Sequence, residues 1–246
     1  MTTPTALVVG VGAELGVGAA VCRRFAAEGF HVIAAGRTQA KLDAVAATIR
    51  AAGGSIEPVV ADATQEAAVI ALFDRAMAPG EGREPASVVV FNAGDNRMID
   101  FRKVEAELFE AFWRVGCFAG FLVGREAARR LVPVGRGTVI FTGASGSLRG
   151  KPGFAQFAAA KAGLRMIAQS MAREYGPQGV HVAHVIIDGG IAGTRLLTAA
   201  PQLAEIRGED GMLDVDAIAE TYWQVHRQPK SAWSQEVELR PFKEVF

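Results

Sequence analysis

The sequence predicts an α/β fold in which helices cover both faces of a doubly wound parallel sheet. Short β-branched runs alternate with long helical patterns along all 246 residues. The runs are almost continuously apolar, which is typical of strands buried on both faces of a parallel sheet. Half of the residues are apolar and 21% are charged, so the chain can fill a large core. No linker, low-complexity segment or repeat interrupts the pattern, and we expect one domain over residues 1–246.

Four strands are predicted in the first part of the chain, because Val, Ile and Ala dominate runs of five or six residues there. A stretch with apolar residues at helical spacing follows each run. The predicted strands cover residues 6–10, 31–35, 56–61 and 87–91, and the predicted helices cover about 16–29, 38–52, 65–78 and 103–131.

The rest of the chain continues the alternation up to an irregular stretch. Strands are predicted at 137–142, 180–187 and 236–240, and helices at about 153–175 and 214–227. Residues 189–212 show no clear period and are expected to be irregular.

Composition and charge exclude several classes of protein. Lys plus Arg and Asp plus Glu both number 26, so a generally basic nucleic-acid binder is excluded. Residues 1–5 lack the basic region of a signal peptide, and no apolar stretch reaches the ~18 residues that span a bilayer. Cys22 and Cys117 match no disulfide or zinc spacing, and His181 and His184 would point to opposite faces of a strand. We therefore expect a cytoplasmic protein that binds no metal, nucleic acid or membrane.

The loop after the first strand predicts a dinucleotide site of the Rossmann-like kind. Glycines in residues 10–18 allow a tight turn and leave room for a pyrophosphate at the helix N-terminus. The G-x-G-x-x-G fingerprint fails because Leu15 stands where its last glycine belongs. The spacing that fits is Gly12-x3-Gly16-x-Gly18. A tight turn without a ligand is the alternative.

With this loop the sequence resembles the short-chain dehydrogenase/reductase family, whose T-G-x-x-x-G-x-G motif aligns with residues 11–18. Asp62 follows the third strand, Asn92-Ala93-Gly94 follows the fourth, and Phe157-x3-Lys161 stands where the family has Y-x3-K. The resemblance implies a cofactor contact set of Gly12, Glu14, Leu15, Gly16, Val17, Asp62, Ala63, Asn92, Ala93, Gly94, Lys161, Gly189 and Ile191.

The end of the second strand favours NADP(H) over NAD(H). Gly36 occupies the position where a carboxylate would bind the 2′-hydroxyl of NAD, and Arg37 follows it directly. A guanidinium binds a 2′-phosphate well. Glu14 argues weakly in the other direction, because it could lie near the adenine ribose. The alternative for Arg37 is a solvated residue at a helix start.

The catalytic residues that the resemblance implies are mostly replaced. Lys161 is retained, but Phe157 stands at the position of the proton-donating Tyr. Ala144 stands at the usual Ser position with Ser145 next to it, and Gly116 aligns with the family's Asn. The P-G that flanks the nicotinamide appears as Asp188-Gly189.

Two functions remain open at this point. The first is an NADP(H)-dependent oxidoreductase that reduces an activated carbonyl, C=C or C=N group of a small molecule, with Lys161 through water, Ser145 or Asp188 as proton donor. The second is a cofactor-binding protein without turnover, acting as a sensor or oligomer partner. Asp188 could instead form a turn, and Ser145 could satisfy its own backbone.

The two long helices predict an assembly. Segments 103–131 and 153–175 carry more small and apolar residues than one buried stripe requires. The resemblance implies that these helices pair across a subunit interface, and we expect a homodimer or homotetramer. It also implies that residues 189–212 cover the substrate.

Overall fold

The computed structural model describes residues 2–245, whose seven strands join in one sheet of order β3-β2-β1-β4-β5-β6-β7. All six neighbouring pairs are parallel, so the predicted doubly wound α/β sheet is confirmed, while its extent as one domain stays a prediction. The strands are β1 (Thr3–Val9), β2 (His31–Gly36), β3 (Ser55–Val60), β4 (Arg83–Phe91), β5 (Gly137–Thr142), β6 (Val180–Ile187) and β7 (Glu236–Leu239).

Nine α-helices lie within the described residues 2–245. They are α1 (Val17–Ala27), α2 (Gln39–Ala51), α3 (Glu66–Met77), α4 (Ala106–Trp113), α5 (Ala119–Leu131), α6 (Ala155–Tyr175), α7 (Thr194–Ala199), α8 (Gln202–Arg207) and α9 (Val215–His226). None of these helices combines the length and the apolar character needed to cross a bilayer.

Three predicted elements need correction. The helix expected at 103–131 is divided, because a π-helical turn at Arg114–Phe118 separates α4 from α5. Segment 189–212 is not wholly irregular, since it contains α7 and α8, each only six residues and too short to show a helical period. Strand β4 begins at Arg83 rather than at 87, because its first residue pairs with Thr3 of β1.

Alternate residues of each central strand enter different halves of the core. In β1, Ala6 and Val8 pack on the side covered by α1, α2 and α9, whereas Leu7 and Val9 pack on the side covered by α3, α5 and α6. All four side chains are buried. Because both faces of the sheet are covered, groups that face solvent collect at the carboxyl ends of the strands.

The loops at this edge approach each other so closely that two positions require glycine. A Cβ on Gly10, whose φ is +97°, would lie 2.3 Å from the backbone nitrogen of Ala93. A Cβ on Gly36 would lie 2.2 Å from the carbonyl oxygen of Val11. Asn92 ties the two loops together, because its Nδ2 donates to the carbonyl oxygen of Gly10 at 3.0 Å.

Candidate active site

The loop between β1 and α1 presents backbone N–H groups to open space. Gly16 is the N-cap of α1, and no side chain caps this helix end. A Cβ on Gly12 would have no atom within 4 Å. An uncapped helix N-terminus next to open space fits the pyrophosphate of a dinucleotide, because the N–H groups and the helix dipole both favour an anion.

The end of β2 leaves one cation exposed beside this loop. Within residues 2–245, the guanidinium of Arg37 has no hydrogen-bond or ion-pair partner. The contact of Gly36 with Val11 leaves no room for a carboxylate at position 36. Glu14 is turned toward α2, where its carboxylate accepts a hydrogen bond from Thr48.

The carboxylate after β3 is partly occupied by its own turn. Oδ1 of Asp62 accepts from the backbone nitrogen of Thr64 at 2.9 Å and from its Oγ1 at 2.8 Å. In the part of the chain that the structure describes, Oδ2 of Asp62 has no such partner, so it could bind a further donor.

The Lys161 side chain extends from α6 to the end of β5 and to the loop after β4. Its Nζ donates to the carbonyl oxygen of Thr142 at 2.7 Å, and a Cβ on Gly94 would lie 3.2 Å from the same Nζ. The side chain is buried, and this burial lowers the pKa of Lys161 to about 8. Burial acts in this direction because a charged amine loses hydration in the interior.

A cleft of about 210 Å³ brings four of the predicted residues together: Ser145, Phe157, Asp188 and Gly189. Lys161 is not among its lining residues, because it lies buried behind them. The ring of Phe157 packs against the loop after β5, so that a Cβ on Gly146 would lie 2.8 Å from its Cε1. Sequence reasoning missed Arg149, Lys151, Arg207 and Glu244, which also line the cleft together with Phe154.

Asp188 is the partner of an arginine, a contact that the sequence did not predict. Nη2 of Arg149 donates to Oδ1 of Asp188 at 2.9 Å and to Oδ2 at 2.7 Å. Nη2 of Arg240 lies 3.9 Å from Oδ2. Asp188 is fully buried, and both of its oxygens are engaged by this ion pair. The pairing favours a role in holding Arg149 over the proton donor and the turn residue that the sequence left open.

Ser145 keeps its hydroxyl available in the cleft. Its carbonyl oxygen accepts from the backbone nitrogens of Leu148 and Arg149 at 3.0 and 3.1 Å. Its Oγ has no hydrogen-bond partner within residues 2–245, so it does not satisfy its own backbone.

The segment after β6 is anchored to the loops after β1 and β4. The backbone nitrogen of Thr194 donates to the carbonyl oxygen of Leu15 at 2.8 Å, and the Arg195 guanidinium lies 3.0 Å from Asp95. Ile191 forms a parallel β-bridge with Leu213. The two hydrogen bonds of this bridge run from the N–H of Ala192 to the carbonyl oxygen of Leu213 and from the N–H of Leu213 to the carbonyl oxygen of Gly190. The N–H of Ile191 therefore stays unpaired among the described residues.

His184 lies on the opposite face of β6 from His181, as the sequence predicted, but its contacts with Ser147 and Glu236 were not foreseen. It is fully buried beneath the loop after β5, with Nε2 3.4 Å from Oγ of Ser147 and Nδ1 3.1 Å from a carboxylate oxygen of Glu236. Burial lowers the pKa of His184 to about 4. His181 instead stacks on Trp233 with ring centroids 4.7 Å apart. The alternation of side chains along β6, which places the two histidines on opposite faces, was the available signal.

Comparisons with known proteins agree with this geometry. A family model described as short chain dehydrogenase matches residues 5–202. The chain is 33% identical to a short-chain dehydrogenase/reductase of Armillaria gallica over 180 residues, which cover 72% of this chain and 67% of that protein. The matched stretches cover about two thirds of the length of such curated relatives.

Two solved structures extend the likeness to nearly the whole chain. A short-chain dehydrogenase from Rhodopseudomonas palustris is 41% identical, with a TM-score of 0.83 and coverage of 97% of this chain and 99% of that one. A metagenomic short-chain oxidoreductase in complex with NADP is 25% identical, with a TM-score of 0.81 and coverage of 98% of both chains.

The burial of Lys161 predicts a specific dependence of stability on pH. Below pH 8 the amine is protonated in the folded and unfolded chain, whereas between about pH 8 and its ordinary pKa of 10.5 only the unfolded chain stays protonated. Wild-type stability should therefore rise with pH across this window. Relative to Lys161→Met, the wild type should gain about 3 kcal/mol in urea unfolding between pH 8 and 10.5. The exposed Lys41→Met should give a pH-independent difference, and a flat difference for Lys161→Met would contradict the prediction.

Proposed function

The chain belongs to the short-chain dehydrogenase/reductase family, a family of oxidoreductases, and from this premise we propose that it is an NADP(H)-dependent enzyme with a non-standard active site. It reduces an activated carbonyl, C=C or C=N group of a small molecule. The observation that carries the proposal is the uncapped N-terminus of α1 beside the unpaired cation of Arg37.

Each part of the cofactor has a group of this chain to hold it. The N–H groups at the start of α1 bind the pyrophosphate, and Arg37 binds the 2′-phosphate. Lys161 would hold the nicotinamide ribose, and the unpaired N–H of Ile191 would bind the carboxamide. When bound, NADPH supplies the hydride, and the protein must supply the proton.

The proton comes from Ser145 or, through a water molecule, from Lys161. Phe157 has no proton to give, and Asp188 is held by Arg149. A pKa of about 8 makes the Lys161 ammonium a stronger acid than an exposed lysine. No Tyr stands beside the substrate oxygen to protonate it. Activated carbonyl, C=C and C=N groups therefore suit the site best, because their reduction builds up less negative charge on an oxygen that has no proton donor.

A non-catalytic cofactor-binding protein, acting as a sensor or oligomer partner, is the second candidate. The packing of Phe157 against Gly146 supports it, because this ring fills the place from which a family Tyr would act. The two candidates differ in turnover of NADPH and agree in its binding.

The first prediction from this proposal concerns cofactor choice. NADPH should bind more tightly than NADH, because Arg37 pairs with the 2′-phosphate. Arg37→Ala should weaken NADPH binding by about 1.5–3 kcal/mol and leave NADH binding nearly unchanged, as measured by fluorescence titration. Arg136→Ala removes the same charge just before β5, at the amino-terminal ends of the strands and away from the loops at their carboxyl ends, and should change neither affinity. If the wild type binds NADPH and NADH equally tightly, or binds NADH more tightly, the proposed preference for NADP(H) is wrong.

A second prediction concerns assembly. Phe109, Trp113 and Phe121 are partly exposed on α4 and α5, and Trp113 and Phe121 both stack on Phe118. We propose that this aromatic row packs against a second copy, giving a homodimer or homotetramer. Light scattering at micromolar concentration should show two or four times the 25.9 kDa monomer mass. Phe121→Asp should lower this mass, whereas Val60→Asp on β3 should not. A monomeric wild type would refute the assembly.

The third prediction tests the missing acid. Phe157→Tyr combined with Ala144→Ser places a phenol four residues before Lys161 and a hydroxyl 13 residues before that phenol, the family spacing. A positioned acid contributes about 10²–10⁴-fold, so the double variant should reduce simple ketones and aldehydes that the wild type reduces weakly or not at all. The assay is NADPH oxidation against carbonyl, enoyl and imine panels at equal cofactor occupancy, with Ala144→Ser alone as control.

Two outcomes of that assay would change the conclusions. If the wild type already reduces ordinary ketones fast and the double variant does no better, Phe157 is not a catalytic loss. If the wild type binds NADPH but oxidises it with no compound of the panels, the non-catalytic candidate is favoured.

A further inference from the structure

We propose that Arg149 binds the carboxylate of an anionic small-molecule substrate in the cleft between the β5 and β6 loops. The inference rests on the proposed oxidoreductase function and names the substrate class of the same site. It begins from the way in which Arg149 is held. Nη2 bonds both oxygens of Asp188, which is fully buried, so the plane of the guanidinium is fixed from one side.

The rest of the guanidinium is available to a ligand. Arginine carries five N–H donors, of which the Asp188 contact uses those on Nη2. Within residues 2–245, the Nε and Nη1 groups of Arg149 have no hydrogen-bond partner. The side chain is 32% exposed and lines the cleft. A guanidinium that is oriented by one carboxylate can bind a second carboxylate through a charge-assisted hydrogen bond from its spare donors, here the two N–H groups of Nη1 or the single N–H of Nε.

The charges of the lining also favour an anion. Three cations line the cleft, Arg149, Lys151 and Arg207, against the two carboxylates of Asp188 and Glu244. Both carboxylates are already paired, because Arg207 lies 3.0 Å from Glu244. Of the three cations lining the cleft, only Lys151 has no carboxylate partner among the described residues, so a net positive charge remains and would raise the local concentration of anions.

The opposite wall of the cleft is apolar. Phe154 and Phe157 line it with their rings in edge-to-face contact, and Ala158 lies beside them. The fitting substrate is therefore amphipathic, with an apolar body against the two phenylalanines and a carboxylate against Arg149. No residue of the 10–16 loop lines this cleft, and neither does Arg37, which separates it from the groups assigned to the cofactor phosphates.

The test compares two ligands of one shape and different charge. Calorimetry would measure the affinities of the wild type for cyclohexanecarboxylate and for cyclohexanecarboxamide, with and without saturating NADPH. The carboxylate should bind at least about tenfold more tightly, as expected for a charge-assisted pair. In the double variant Arg149→Gln with Asp188→Asn, which leaves no unpaired buried charge, this preference should disappear. Lys151→Gln removes the unpaired lining charge but leaves the Arg149 guanidinium in place, so it should lower the preference by less than the double variant does.

A second variant separates charge from geometry and protects the test against misfolding. Arg149→Lys keeps the charge but replaces the planar guanidinium, which can bond Asp188 and a ligand at once, with a single ammonium, so its preference should be intermediate. Thermal unfolding, monitored by circular dichroism, would verify that each variant is folded. If the double variant is unfolded, the carboxylate preference of Arg149→Lys tests the proposal instead. Equal affinities on the wild type, or an undiminished preference in the folded variants, would overturn the proposal.

Cofactor binding distinguishes the remaining outcomes. If the double variant loses NADPH affinity as strongly as carboxylate affinity, the bound anion is a cofactor phosphate and the proposal is overturned. If the wild type binds no NADPH but still prefers the carboxylate through Arg149, the anion site stands and the oxidoreductase function fails.

Discussion

The close contact of backbones at the carboxyl edge of the sheet is the constraint on which the site depends. Gly10 meets Ala93, and Gly36 meets Val11, at distances that no Cβ could tolerate. These contacts place the loops after β1, β2 and β4 side by side, and Asn92 fastens two of them with a hydrogen bond. The shape of the proposed dinucleotide site therefore depends on glycines, which have no side chain, as much as on residues that have one.

Burial controls the charged groups behind this groove. Lys161 lies in the interior with one carbonyl partner, and the loss of hydration lowers its pKa to about 8. Asp188 is equally buried but has Arg149 against both oxygens, so its charge is compensated. One site thus contains a buried amine with a single carbonyl partner and a buried carboxylate with an arginine against both of its oxygens.

Two positions of the cleft, Phe157 and Asp188, depart from the residues that the family resemblance implies. Phe157 packs on Gly146 and, with Phe154, forms an apolar wall. Asp188 stands where the family has proline and brings an arginine into the same cleft. In our proposal, an apolar wall next to a guanidinium suits the cleft for binding an anion. Phe157 lies near the start of α6 and Asp188 directly after β6, where substitution leaves the sheet intact.

The sequence by itself determined the alternation of strands and helices, the dinucleotide loop and the cation at Arg37, because periodicity and strand-end glycines are local properties. It did not reveal the π-helical turn inside 103–131 or the two short helices inside 189–212, whose lengths lie below the range of a periodic signal. Only the tertiary structure decided that Arg149 meets Asp188. These residues are 39 positions apart, and they pair because β5 and β6 are neighbours whose carboxyl ends share one edge of the sheet.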